Sequence, residues 1–430
     1  LSLPTMIGLI DCNNFFVSCE RVFDPGIRNK PVVVFSNNDG CAVAISNEAK
    51  TLGIKRGDPF FKIKGICRAY DIRTFSGNHK LYGDMSTRVM AVLSSTVPEI
   101  EIYSIDEAFI HLDAFEENSL QDMGRSIVRK VRRQTGIPTS LGIAPTKTLA
   151  KVAARFAKKH PGYRSCCVID SEEKRRKALE LTPVKDVWGI GRRLYRTLND
   201  HGIYTALQLA DLPKESIVKL FNVTGEKTWM ELNGCQCTEF EPEDSRRKQI
   251  VCSRSFGKTL SEFDDVSSAV AALTNIAGRK IRERSLCAVS LSVFLHTDGF
   301  RPDLPQYHNS AHRTLQEPTA DTMTLTAVAT DALRSVFKQG FAYKKAGVMI
   351  NELTDSNHIQ QSLFGNAADR ERRQRLMTTV DSINRCSIGR DTIHTGAYCH
   401  IDNFVRREKP SRLFSTRLSD IITINCNHGS

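Results

Sequence analysis

The sequence predicts an α+β fold: a mixed sheet domain up to about residue 170, a helical segment after it, and a second α/β domain beyond a linker. Three observations predict this. Short apolar runs at 6–10 and 31–35 have the length and composition of buried strands. They alternate with stretches that carry helix-capping residues and a helical apolar period. The acidic, proline-bearing stretch Glu239-Phe240-Glu241-Pro242-Glu243-Asp244 then flips to Arg246-Arg247-Lys248, which marks a domain boundary.

Taken in order, 6–10 reads as a buried strand. Asp11-Cys12-Asn13-Asn14 offers helix-capping chemistry, and 15–23 continues as helix. A second buried strand at 31–35 ends in the turn signal Asn37-Asn38-Asp39-Gly40. A strand is expected at 42–45 and a helix at 47–52, closed by Gly53. Residues 84–97 read as helix, and 100–112 as two strands around a tight turn. A basic helix at 120–135 has Ile127, Val128 and Val131 on one side. A strand at 140–144 and a helix at 147–159 follow. From 171 to 238 the pattern is helical with short turns. From 249 to 355 it is strand, helix, strand, strand, helix, strand. The chain is polar after 356, with an Arg-rich helix at 370–376, and no internal repeat is evident.

At 430 residues the chain is too long for one ordinary core, and about two to four domains are expected. No apolar run reaches the length of about 18 residues that spans a membrane. Residues 1–5 are too short and uncharged for a secretory signal, and Met6 reads as the natural first residue. The net charge of +12 suits a polyanionic partner, though a plain basic surface carries the same excess. Thirteen cysteines cannot all pair, and Cys166-Cys167 and Cys235-x-Cys237 lack zinc-site spacing. Free, mostly buried thiols in a reducing cytosol are the simplest reading.

Candidate chemistry lies in the carboxylates. Asp106-Glu107 falls between two strand-like runs, where a hairpin turn lets both side chains lean toward one site. Two adjacent carboxylates are costly unless solvated or neutralised by a cation. Taken alone, such a pair is more often a polar turn, and Asp11, after an apolar strand, more often a helix N-cap. Together, three carboxylates at strand ends suit Mg²⁺, a hard cation with oxygen ligands, and two such ions can clamp an in-line phosphoryl transfer. The first amides of the following helix, around Asn14, Phe15 and Phe16, form a ready phosphate site.

These residues, in this order, resemble the Y-family DNA polymerases, in the UmuC-like branch. The matching runs are Ile10-Asp11-Cys12-Asn13-Asn14-Phe15-Phe16-Val17-Ser18-Cys19-Glu20, Asn37-Asn38-Asp39-Gly40-Cys41, Glu48-Ala49-Lys50, Ser104-Ile105-Asp106-Glu107-Ala108-Phe109 and Gly142-Ile143-Ala144-Pro145-Thr146-Lys147-Thr148-Leu149-Ala150-Lys151. The resemblance covers nearly the whole chain, most strongly up to about residue 240. It implies a right-hand polymerase with an α/β little finger: palm at 1–15 and 82–170, fingers at 16–81, thumb at 171–238, linker at 239–245, little finger at 246–355 and a partner-binding tail at 356–430. It implies an error-prone, template-directed DNA polymerase for translesion synthesis, adding dNTPs to a primer in the bacterial cytoplasm with two Mg²⁺ ions. Asp11, Asp106, Glu107 and the Cys12 carbonyl match the metal ligands. Phe16 matches the steric gate against a ribose 2′-hydroxyl, where the residues alone favour a core ring beside Phe15. Lys50 and Lys158 match triphosphate contacts, although many relatives carry Arg at the first and a Tyr where this chain has Asn47.

Val187-Trp188-Gly189-Ile190-Gly191 resembles the turn of a helix-hairpin-helix, whose glycines let backbone amides reach a DNA phosphate. Arg192, Arg193 and Arg196 add positive charge there. Arg246-Arg247-Lys248, Arg254 with Lys258, and Arg279-Lys280-Ile281-Arg282-Glu283-Arg284 suit contacts to primer and template, although a charge run is usually a solvated face. Gln360-Gln361-Ser362-Leu363-Phe364 resembles a sliding-clamp peptide, with Gln360, Leu363 and Phe364 as anchors. The resemblance also implies a processed UmuD-like dimer and RecA as partners of the tail, around Thr416-Arg417-Leu418-Ser419-Asp420. The competing classes are a catalytically inactive DNA-binding regulator, opposed by the intact carboxylates, and a nucleotide cyclase, opposed by the thumb, little finger and clamp-like peptide.

Overall fold

The computed structural model describes residues 6–112, 120–240, 249–357, 367–386, 393–394 and 404–422. The chain divides into two compact units. The first comprises Leu1–Phe35, Cys41–Ser245 and Lys409–Ser430, and the second Ser36–Gly40 and Arg246–Glu408. Gln360, Leu363 and Phe364 of the clamp-like peptide lie outside the described residues, as do Arg246, Arg247 and Lys248.

The first unit begins with β1 (Ile7–Cys12), α1 (Phe15–Phe23), β2 (Val32–Phe35), β3 (Ala42–Ile45), α2 (Asn47–Thr51), α3 (Phe60–Ala69) and β4 (Arg73–Ser76). It continues with α4 (His79–Ser94), β5 (Ile100–Ile102), β6 (Glu107–His111), α5 (Leu120–Thr135), β7 (Thr139–Ala144), α6 (Lys147–Lys159) and β8 (Cys166–Val168). Five helices follow: α7 (Glu172–Glu180), α8 (Arg192–Asp200), α9 (Ala206–Ala210), α10 (Lys214–Leu220) and α11 (Val223–Leu232).

Its main sheet has the order β5-β6-β1-β7-β8, with β1 antiparallel to both neighbours. Ile10 and Leu141 pack in the same core as Leu81 and Val89 of α4 and Ile127 and Val131 of α5. Ile7 and Leu9 pack in a second core with Leu149, Ala153 and Ala157 of α6. Because β1 is covered on both faces, its sequence is a continuous apolar run rather than an alternating one. A Cβ at Gly142 would lie 2.0 Å from the Ala154 backbone nitrogen, so only glycine lets α6 settle this closely on β7. A three-stranded sheet, β3-β2-β4, has its own core of Val33, Phe35, Ile45, Ile54 and Ile63.

The second unit contains β9 (Ile250–Leu260), α12 (Phe263–Arg282), β10 (Leu286–Thr297), β11 (His308–Thr319), α13 (Thr322–Val336), β12 (Tyr343–Asp355) and α14 (Ala367–Cys386). Its antiparallel sheet has the order β11-β10-β12-β9. Val270 and Leu273 of α12 and Leu325 and Leu333 of α13 join Leu291, Val293 and Val348 in one core. Helix α14 is tied on by Arg282, which donates to both carboxylate oxygens of Asp381 at 2.7 and 2.9 Å.

Most expected elements occur, but two boundaries shift and two elements are added. Helix α4 starts at His79 rather than 84, because the Asn78 side chain accepts from the Leu81 amide at 3.2 Å and caps it earlier. Helix α3 and strand β4 are additions. In α3 only Ile63 and Cys67 are buried, too sparse an apolar stripe to stand out by period. Helix α8 starts at Arg192, where the sequence predicts a start at Leu194. The described cysteines are free thiols, most of them buried.

Candidate active site

Strand β1 and the β5–β6 hairpin bring the carboxylates together. Asp11 is the register partner of Glu107, and residues directly opposite on antiparallel strands project to the same face. The Cys12 amide donates to the Asp106 carbonyl at 2.8 Å, which fixes the turn against the end of β1. The turn closes through the Tyr103 and Ser104 amides, which donate to the Glu107 carbonyl at 3.1 and 3.0 Å. The Ser104 hydroxyl accepts from the Asp106 and Glu107 amides at 3.2 and 3.0 Å and donates to Asp106 Oδ1 at 2.8 Å. One serine therefore sets the orientation of Asp106 and the amide that leads into Glu107. Asp11, Asp106 and Glu107 all remain partly exposed.

Helix α6 supplies two cations to this carboxylate face. Lys158 Nζ lies 2.7 Å from Asp11 Oδ1, and Lys151 Nζ lies 3.0 Å from Glu107 Oε2. Seven residues are close to two helical turns, so both lysines leave α6 on one side. Lys151 also sits over the rings of Tyr103, at 4.3 Å, and Trp188, at 5.1 Å. Trp188 in turn donates to the Tyr103 hydroxyl at 3.2 Å. Lys50, from α2, donates to Asn14 Oδ1 at 2.8 Å and Asn47 Oδ1 at 3.2 Å. Burial, and next the neighbouring Lys158, lower the Lys50 ammonium below its ordinary value. The two lysines expected at the triphosphate thus lie close enough to feel each other, on the carboxylate side of the sheet.

Among the described residues, no three His, Cys, Asp or Glu side chains converge as a preformed metal cage. The donor set nonetheless fits a hard cation, being carboxylate oxygens at the end of a strand. The Cys12 thiol is buried, and desolvation followed by Asp11 drives its pKa far up, so the thiol stays protonated.

The adjacent phenylalanines have different fates. Phe15 is buried in the core, whereas Phe16 keeps part of its ring exposed. Phe16 stacks on Tyr82 with centroids 4.3 Å apart and planes at 14°, and meets His79 edge-on at 5.6 Å. Asn14 is the N-cap of α1, but in the left-handed region at φ 45° and with no side-chain cap bond. The expected capping role is therefore corrected: its side chain serves Lys50 and Asn47 and makes no bond to the first-turn amides of α1.

In the helical part, Gly189 has φ +89°, a left-handed conformation suited to glycine. Gly191 caps α8 without a side-chain bond, and Arg192, Arg193 and Arg196 are exposed. In the second unit Lys258 is exposed and Arg254 half-buried, with its guanidinium donating to the Ser253 carbonyl at 2.9 Å. Arg282 departs from its expected role at DNA. Besides Asp381 it holds the Ala320 carbonyl at 2.7 Å and the Thr322 hydroxyl at 2.8 Å, so its charge is used inside the unit. Lys147, within a motif that resembles polymerase sequence, is buried and paired with Glu101 at 2.6 Å.

Ser104, Tyr82, Lys151 and Trp188 escaped the sequence reading as site residues. For Lys151 a signal existed, its seven-residue spacing from Lys158 on one helix.

Comparison with known proteins places this arrangement. The impB/mucB/samB family matches residues 10–155, and the C-terminal domain of that family matches 247–363. Protein ImpB of Salmonella typhimurium is 41% identical over 420 residues, covering 97% of this chain and 99% of that protein. Protein UmuC of the same species is 40% identical, covering 97% of this chain and 100% of that protein. DNA polymerase IV of Moorella thermoacetica is 28% identical over 92% of this chain and 96% of its own length. Among solved structures, a Y-family DNA polymerase chimera of Dbh and Dpo4 aligns with a TM-score of 0.67 at 22% identity, over 81% of this chain and 99% of that one. The fold is therefore that of a Y-family DNA polymerase, a right hand with an added α/β little finger. The chain belongs to the impB/mucB/samB family and is a UmuC-like member of these polymerases.

Proposed function

We propose that Asp11, Asp106, Glu107 and the Cys12 carbonyl form the catalytic centre of this polymerase and hold two magnesium ions. The family sets the reaction class: a DNA-directed DNA polymerase of translesion synthesis, which binds DNA and dNTP. Polymerase chemistry uses divalent metal in general, and the ions supply charge neutralisation and an activated primer oxygen for in-line phosphoryl transfer. The observation that carries the assignment is the register of Asp11 opposite Glu107, with Asp106 bonded through its carbonyl to the next residue of β1.

In this reading Lys50 and Lys158 take the triphosphate, and the uncapped amides of Asn14, Phe15 and Phe16 add hydrogen-bond donors. Phe16 is the sugar filter: a partly exposed ring stacked on Tyr82 has no room to yield to a 2′-hydroxyl. Gly189, Gly191, Arg192, Arg193, Arg254 and Lys258 grip the DNA backbone without reading sequence. Gln360, Leu363 and Phe364 dock on a sliding clamp. The tail binds a processed UmuD-like dimer and RecA, for which Leu418, 87% exposed, offers an apolar contact. Among the described residues no helix is long and apolar enough to cross a membrane, and we place the protein in the bacterial cytoplasm.

The test is primer extension with Mg²⁺ and dNTPs, with partner proteins added in parallel, wild type beside Asp106→Ala. Extension by the wild type and none by the variant supports the centre. Equal extension by both removes the metal assignment, and no extension by the wild type under any condition removes the polymerase reading. Phe16→Ala is expected to raise ribonucleotide incorporation, and unchanged sugar selectivity removes the gate.

A further inference from the structure

We propose that the C-terminal segment around Ser411 is part of the sugar-selecting apparatus, holding Tyr82 and the first turn of α4 in place behind Phe16. This rests on the reading of Phe16 as the sugar filter and extends it to a residue 395 positions away in sequence, counting from 16 to 411.

The segment is docked throughout its approach. Pro410 forms a parallel bridge with Ser76 at the end of β4. The Ser76 amide donates to the Lys409 carbonyl at 2.9 Å, and the Lys409 amide donates to the Ser76 hydroxyl at 3.0 Å. Phe414 then stacks on Phe23 of α1, centroids 5.0 Å apart and planes at 4°. Ser411 is thus fixed from both sides, by a backbone bridge and by an aromatic stack.

From that position Ser411 reaches two groups behind the filter. Its hydroxyl donates to Glu20 Oε1 at 2.9 Å, the same oxygen that accepts from the Tyr82 hydroxyl at 2.6 Å. Glu20 is 1% exposed and Tyr82 0%, so no water competes for these bonds. Asn78 caps α4 through its carbonyl oxygen, while its amide donates to the Ser411 hydroxyl at 2.9 Å and the Arg412 carbonyl at 3.2 Å. The helix turn so anchored carries His79 and Tyr82, and both rings pack against Phe16. Steric exclusion depends on a backstop: a ring that can retreat by a fraction of an ångström admits the extra hydroxyl. Ser411 and Glu20 are therefore positioning residues for the filter. They act on the filter through Tyr82 and the Asn78 cap.

The experiment measures single-nucleotide kcat/KM for a dNTP and its matching rNTP with the full chain, for wild type, Phe16→Ala, Ser411→Ala, Ser411→Thr and Tyr82→Phe. Tyr82→Phe loses one buried hydrogen bond and Ser411→Ala two, those to Glu20 and from Asn78, and each is expected to shift the sugar ratio toward rNTP by about five-fold. For Ser411→Ala the dNTP kcat is expected to stay within about two-fold, a split that general destabilisation does not produce. Ser411→Thr keeps the hydroxyl and is expected to restore the ratio. If Ser411→Ala does not fold, Tyr82→Phe reads the same link. An unchanged ratio in the Ser411 and Tyr82 variants, with a raised one in Phe16→Ala, overturns the tail's role and leaves the gate standing. An unchanged ratio in Phe16→Ala overturns both.

Discussion

Asp11 and Glu107 face each other across β1 and β6, and each carboxylate is met by a lysine of the same helix, Lys158 at 2.7 Å and Lys151 at 3.0 Å. Asp11 and Glu107 are thus met from one direction by α6, and the Ser104 turn holds the hairpin at the strand end. Both halves of that relationship can be tested separately.

On the proposed assignment, removing an acid removes cation binding. Asp11→Ala, Asp106→Ala and Glu107→Ala are each expected to lower primer extension by about a thousand-fold or more, the loss of several kcal/mol of transition-state stabilisation. Melting temperatures are expected to stay close to wild type, since all three side chains are partly exposed. Single-turnover extension beside a thermal melt checks both statements.

Lys158→Ala is expected to act mainly on nucleotide binding. Loss of a charged hydrogen bond to phosphate corresponds to about ten- to one-hundred-fold in kcat/KM for dNTP, carried mostly by KM. Lys151→Ala has a different signature, because Lys151 is enclosed by Tyr103 and Trp188 and paired with Glu107. It is expected to lower kcat more than it raises KM. Steady-state kinetics of the two variants side by side decides.

Arg192 and Arg193 are exposed at the start of α8, next to the turn at Gly189. Replacing both with Ala is expected to weaken DNA binding alike for all sequences and to reduce the slope of log affinity against log salt by about two. Arg282→Ala is expected to leave that slope unchanged and to destabilise the second unit, since its guanidinium is committed to Asp381, Ala320 and Thr322. Binding titrations at several salt concentrations separate the two outcomes.

Glu20 makes stability depend on pH. Burial pushes its carboxyl up from 4.5 to about 7, against the smaller opposing pull of the Tyr82 and Ser411 hydroxyls. Below pH 4.5 both folded and unfolded chains bind this proton; between 4.5 and about 7 only the folded chain does. Stability from this group is therefore lost as pH rises through that window and is level above it, a difference of about 3 kcal/mol. Relative to Glu20→Gln, the wild type is expected to lose melting temperature between pH 5 and 7 and no more between 7 and 8. A difference that does not vary with pH contradicts this.

What could be read in the sequence was what is local. The strand ends, the Asp106-Glu107 hairpin and the turn at Gly189 each follow from a few consecutive residues. What escaped depends on distant partners. Tyr82 fell outside the expected helix because the Asn78 cap moves the start of α4 to His79. Glu20 and Ser411 are joined across 391 positions, a separation no periodicity reports. Arg282 sat in a basic run, and a run of charge does not say which member turns inward; its partner Asp381 is 99 residues on. Phe15 and Phe16 were indistinguishable as letters, and only the packing of α1 makes one a core ring and leaves the other exposed.

Gly142 has a consequence for how this protein reads in a genetic screen. It touches no candidate substrate group, yet a single added carbon would collide with the backbone of Ala154, which cannot turn aside as a flexible side chain can. Helix α6 would lift, and both lysines would be carried away from the carboxylates together. A saturation scan is therefore expected to rank Gly142 beside Asp106 in intolerance, although one position fails through chemistry and the other through clearance. Only a melting curve beside the activity would tell them apart.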